Sequence, residues 1–198
     1  MSPNCRRVSA VVHQTNTKLE FLTVDFGDKF DWAAFETVNP TGMVPALEDG
    51  DFKLGESNAI MQYLADKAHS DLIGTDIRSR ADITRWQCWQ LAHFGPACDT
   101  LQWENLLKKM FGEGETDALE VKEGLEAFRQ HAAVLDRQLA KHKYVAGDRL
   151  SLADFSIAAN LMYAEGAKIP VDEFAHIKKW YAHIETLDAW KNSAPPRA

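Results

Sequence analysis

One segment of the chain admits a single backbone period. In LEVKEGLEAFRQHAAVLDRQLAKHK, the apolar positions Val121, Leu125, Phe128, Ala132, Leu135 and Leu139 are spaced 4-3-4-3-4. On a helix of 3.6 residues per turn they form one stripe, whereas on a strand they would scatter over both faces. The spacing predicts a long amphipathic helix whose stripe must be covered by other helices, as in a bundle core. Glu113, Glu115 and Asp117 lie ahead of it and Arg137, Lys141 and Lys143 near its end, a charge order that suits the helix dipole.

The rest of the second half reads in the same way. RADITRWQCWQLAHFG predicts a helix that Gly95-Pro96 should end. In RLSLADFSIAANLMYA, Ser151 and Asp154 have the spacing of a capping box, and Leu150 and Phe155 occupy the two places of a hydrophobic staple. Asp154 is therefore read as a structural cap with Ser151 and not as a catalytic carboxylate. EFAHIKKWYAHIETLDAWK predicts a last amphipathic helix ahead of a loose SAPPRA tail.

The first third is mixed. Val8, Val11 and Val12 make CRRVSAVVHQ an amphipathic helix, and the Pro3 before it marks a helix start. Leu22, Val24 and Phe26 alternate through LEFLTVDF as a strand would. DWAAFETVNPTG is a short helix or turn stopped by NPTG. VPALE and FKLG are strands joined at Asp49-Gly50-Asp51, and ESNAIMQYLADKAH is a helix with Ile60, Tyr63 and Leu64 on one side. This contrast divides the chain into an α/β unit over residues 1–69, a linker over 70–78 and an all-helical unit over 79–198.

Composition narrows the function classes. The formal net charge of −7 argues against a nucleic-acid partner, which normally meets a basic face. No run approaches the roughly 20 apolar residues of a membrane span, and no secretory signal is visible near Met1. The three cysteines, Cys5, Cys88 and Cys98, are too sparse for a disulfide framework and fit a reducing cytoplasm. No metal-ligand spacing appears, so no metal is expected.

Three motifs in order, SPNCRRV, NPTGMVPALEDGDFKLGESNAI and LSLADF, together with a helical second half, resemble the cytosolic glutathione transferases along nearly the whole chain, in a bacterial-type form with a serine-type active site. The resemblance implies a thioredoxin-like N-terminal domain followed by an all-α C-terminal domain, usually as a homodimer. Glutathione would be the co-substrate, bound to the first domain, with a hydrophobic small-molecule electrophile between the two. Ser2 falls on the serine that activates glutathione. Val44 precedes Pro45, the family's cis-proline, and its backbone would pair with the cysteinyl part of glutathione. Glu56 and Ser57 match the pair that holds the γ-glutamyl end at a helix N-terminus. Members begin with a strand running into the SPNC turn, so residues upstream of Met1 are expected to supply it. Met43 stands where many members carry a polar or basic residue near the glycine carboxylate.

The chemistry implied for Ser2 is plausible in magnitude. A free thiol near pKa 8.5 must fall by roughly two units, about 2.7 kcal/mol, to be mostly thiolate at neutral pH. A hydroxyl donating to the sulfur anion is worth about 1.5–3 kcal/mol, and a helix N-terminus adds about 0.3–1 kcal/mol. Ser2 and Ser57 could each also act as simple helix caps. Cys5 is read as a packed residue or as a thiol open to a mixed disulfide. Trp86, Trp89 and His93 share one side of a helix, with Trp103 further on, and are candidates for the electrophile site or for core packing. Three readings follow: glutathione conjugation, glutathione-dependent disulfide or peroxide reduction, and a non-catalytic binding module of the same fold.

Overall fold

The computed structural model describes residues 2–24 and 30–194. The N-terminal unit contains helix α1 (Pro3–Thr15), helix α2 (Trp32–Glu36), strands β1 (Leu47–Asp49) and β2 (Phe52–Leu54), and helix α3 (Ser57–Lys67). Helix α1 packs on α3. It contributes Val8, Val11 and Val12, and α3 contributes Ile60, Met61 and Leu64, all buried. Burying each such side chain stabilises by about 1.5–3 kcal/mol. The hairpin pairs Leu47 with Leu54 and Asp49 with Phe52. Its turn has Gly50 at φ +65°, a backbone region that glycine enters without a Cβ clash.

The strand expected through LEFLTVDF does not form over its described part. No extended segment runs beside residues 19–24 among the described residues, so their N–H and C=O groups have no ladder to join. Phe21 and Leu22 are exposed, as an unpaired segment leaves them. Phe26 lies outside the described residues.

The helical unit opens with α4 (Ile77–Trp89), earlier than the sequence pattern places it, after a 3₁₀ turn at Asp71–Ile73. Asp76 caps α4 by accepting from the N–H groups of Arg78 and Ser79. The stop expected at Gly95-Pro96 does not occur. A π turn at Gln90–Phe94 leads into α5 (Gly95–Gln102), and a second π turn at Trp103–Leu107 leads into α6 (Lys108–Met110). In the first turn the Gly95 N–H reaches back to the Gln90 carbonyl, so the wider turn carries the chain past a proline that has no N–H to give. Gly95 fits closely there: a Cβ would lie 2.8 Å from the Gln90 carbonyl oxygen and 2.7 Å from its Nε2, so a side chain would force both to shift.

Helix α7 (Ala118–Leu139) carries the long stripe. Phe128, Ala132 and Leu135 are fully buried and Leu139 nearly so, while Val121 and Leu125 at the N-terminal end are only partly covered. Asp117 caps it through the Leu119 and Glu120 N–H groups. Helices α8 (Leu152–Ala158), α9 (Ala175–Thr186) and α10 (Asp188–Asn192) complete the unit, the expected last helix being broken at Leu187. Asp154 performs the capping expected of it and more. Its carboxylate accepts from the Ser151 N–H and hydroxyl, from the Val145 N–H and from Trp180 Nε1. Burial pushes its pKa up to about 6 against these four donors. Helix α1 also packs on α8 and α10, which seats the N-terminal unit against the helical one.

Candidate functional site

The N-termini of α1 and α3 face one another. Ser2 is the N-cap of α1, and its Oγ accepts from the Asn4 N–H at 3.2 Å. That bond uses the oxygen as acceptor and leaves the O–H able to donate. Pro3 follows, where its missing N–H costs nothing because the first turn has no partner for it. The Asn4 side chain spans to the second helix: its Oδ1 accepts from Ser57 Oγ at 3.4 Å. Cys5 is half-buried; burial pushes its thiol pKa up, against a hydrogen bond with Ser2.

At α3, Glu56 is the N-cap but its side chain makes no capping bond, so the first N–H groups of the helix stay open. Glu56 has φ +62°, an uncommon backbone state for a residue with a Cβ, and its side chain is exposed. The Val44–Pro45 bond is cis. Among the described residues the Val44 N–H and C=O have no hydrogen-bond partner, although the residue is half-buried. Met43 presents an exposed side chain beside it.

Asn39, which sequence reasoning passed over as part of a helix stop, holds these segments together. It is buried; its Nδ2 donates to the Met43 carbonyl at 2.6 Å, and its Oδ1 accepts from the Thr41 hydroxyl at 3.0 Å. The far side of the amide abuts Gly55, where a Cβ would lie only 2.7 Å from Asn39 Oδ1. The loop before Pro45 is thus packed against the residue before Glu56. The available signal was the N-P-T-G run, whose Asx chemistry favours such a loop.

The aromatic candidates fall elsewhere. Trp86 is buried edge-on to Trp89, which stacks on Phe94 at 5.5 Å and meets His131 edge-on at 6.2 Å. His93 lies 5.3 Å from His131, ring to ring. Burial and the neighbouring His93 hold the His131 pKa below the usual imidazole range. These three candidates therefore form one cluster against α7, while Trp103 stands apart on the second π turn, 41% exposed. No hydrogen bond links any of the four to Ser2, Val44 or Ser57 among the described residues. A shallow groove of about 240 Å³ lies along the C-terminal half of α3, lined by Gln62, Tyr63, Arg80 and Thr84, and does not include the facing helix starts.

Behind the helix starts lies a buried polar network that joins the two units. The fully buried Arg7 donates to Gln90 Oε1 at 2.9 Å and to Asn160 Oδ1 at 3.3 Å. Burial pulls its pKa down to about 10, with Asp99 opposing. Among the described residues no three His, Cys, Asp or Glu side chains converge to hold a metal ion. No described helix is long and apolar enough to cross a membrane.

Comparison with known proteins matches this arrangement. Residues 1–71 match the glutathione S-transferase N-terminal domain and residues 91–188 the C-terminal domain. A glutathione S-transferase from Hyoscyamus muticus is 34% identical over 98% of this chain and 93% of its own length. Glutathione S-transferase I from maize, solved in complex with an atrazine glutathione conjugate, superposes with a TM-score of 0.89 at 28% identity, covering 98% of this chain and 92% of that one. A theta class glutathione S-transferase from the citrus canker pathogen Xanthomonas axonopodis pv. citri, solved with glutathione bound, gives 0.86 at 26% identity over 99% and 94%. With the expected thioredoxin-like unit and helical unit both matched, the chain belongs to the glutathione S-transferase family.

Proposed function

We propose that this chain joins the thiolate of glutathione to hydrophobic electrophiles, with Ser2 as the residue that holds the thiolate. The observation that carries the reading is the pairing of helix starts: a Ser2 hydroxyl at the α1 cap, already hydrogen-bonded to one sulfur, that of Cys5, and an uncapped α3 N-terminus, bridged by Asn4 and Ser57. The peptide ligand's γ-glutamyl carboxylate would accept from the first N–H groups of α3 and from Ser57, and its ammonium would face Glu56. Its cysteinyl backbone would pair with the open N–H and C=O of Val44, as an added strand does. The sulfur then lies over the α1 N-terminus, where the Ser2 hydroxyl donates to it and its proton leaves to solvent. The thiolate forms a C–S bond to the electrophilic carbon as the carbon–halogen bond of an aryl halide breaks and halide leaves to solvent, so no protein nucleophile is needed.

The serine-type assignment rests on Ser2 at the cap. The bacterial-type assignment draws support from the Xanthomonas relative. The raised thiol pKa of Cys5 favours conjugation over a protein-based disulfide cycle. The unit boundaries at 69 and 79, a homodimer and a cytoplasmic location belong to the same reading. Its test is Ser2→Ala, assayed with glutathione and a chromogenic aryl halide: kcat/KM should drop by about 10- to 1000-fold, roughly 1.4–4 kcal/mol of barrier, with the fold retained. An unchanged kcat/KM would refute the Ser2 assignment, and an unaltered protein with no rate above the uncatalysed background would favour a non-catalytic module.

A further inference from the structure

The site proposed above lies wholly in the N-terminal unit, yet both of its helices are tied to one atom of the other unit. Gln90 Oε1 accepts from Arg7 Nη1 on α1 at 2.9 Å, from Asn58 Nδ2 in the first turn of α3 at 3.3 Å and from Ser156 Oγ on α8 at 3.1 Å. The Gln90 Nε2 donates in turn to Asn160 Oδ1 at 2.9 Å. Asn58 directly follows Ser57, and Arg7 lies little more than one turn from Ser2. Gln90, Arg7, Asn58, Ser156 and Asn160 are all buried, so water cannot substitute for a lost partner without opening the interface. Gln90 is also the first residue of the π turn, whose close fit to Gly95 fixes where its side chain leaves the helix.

We propose that Gln90 is a positioning residue for glutathione binding: by gathering α1 and α3 on a single acceptor, it sets the separation of the Ser2 and Ser57 helix starts. The inference rests on the reading that glutathione binds there.

The test compares variants that all fold, as judged by their melting transitions. Gln90→Met keeps the length of the side chain but removes the acceptor. It should raise the KM and the calorimetric Kd for glutathione about tenfold, with a smaller change in the KM for the electrophile. Gly95→Ala, which crowds Gln90 without touching Arg7 or α3, should shift the glutathione KM in the same direction. Gln90→Glu, which keeps an oxygen opposite Arg7, should recover most of the affinity. Gln102→Met is the control: Gln102 is buried and donates to the backbone carbonyl of Asn160, not to the Oδ1 that Gln90 and Arg7 share, so it should lower the melting temperature and leave the glutathione KM alone. If Gln90→Met binds glutathione like the unaltered protein, or if Gln102→Met shifts KM equally, Gln90 has no positioning role. If the unaltered protein itself binds no glutathione, the underlying site assignment fails instead.

Discussion

Single side chains decide whether the site exists at all, and Asn39 is the clearest case. Its amide closes the loop that delivers Val44 and abuts Gly55 just before Glu56. Removing it leaves the Met43 carbonyl and the Thr41 hydroxyl without their buried partner, a loss of about 1–3 kcal/mol. Asn39→Ala is therefore expected to lower the midpoint of urea unfolding and to weaken glutathione binding more than that stability loss alone would. Unchanged affinity in the folded variant would show that the loop holds its shape without the amide. At this scale the sequence was readable where chemistry is local. Ser2 at a helix mouth, Pro45 after Val44 and Ser57 opening a helix all stand where their neighbours implied. Asn39 and Gln90 were not readable in this way, because their partners are distant in the chain and an amide in a run of polar residues carries no period.

Elements were legible where an apolar period repeats and hidden where backbone hydrogen bonding departs from it. The stripe of α7 and the box at α8 follow from spacing, whereas the helix that passes through Gly95-Pro96 does so by a π turn that no propensity rule anticipates. LEFLTVDF has a strand's alternation, but a strand is also a property of its neighbour. Caps supplied from a distant helix are equally invisible in sequence. Asp136 on α7 accepts from the His176 and Ile177 N–H groups and from His176 Nδ1, so one helix caps the start of α9. Burial acts to raise the Asp136 pKa, but these hydrogen bonds outweigh it and hold the carboxyl below its ordinary range. A depressed carboxylate stabilises the fold above its unfolded pKa and loses that contribution as pH falls toward the folded value. Asp136→Ala should thus cost about 1–2 kcal/mol in chemical denaturation near pH 7. The gap from the unaltered protein should narrow as the pH drops below about 4. A gap that stays constant with pH would mean that the carboxylate charge plays no part.

At the scale of the whole molecule, the thioredoxin-like unit proposed to hold glutathione is braced by a helical unit through buried polar contacts at Gln90 and Asn160. The proposed homodimer predicts that sedimentation equilibrium returns a mass of about twice 22.3 kDa, while a monomer mass at micromolar protein would remove the dimer from the account. The central claim is that the facing starts of α1 and α3 bind glutathione. The most direct test is a calorimetric titration of the folded chain with glutathione, repeated on Ser57→Ala. The account predicts saturable binding with a Kd in the micromolar to low-millimolar range, weakened several-fold in the variant as one hydrogen bond to a charged group is lost. A folded chain that binds no glutathione, or a Ser57→Ala variant that binds it equally well, would contradict the claim.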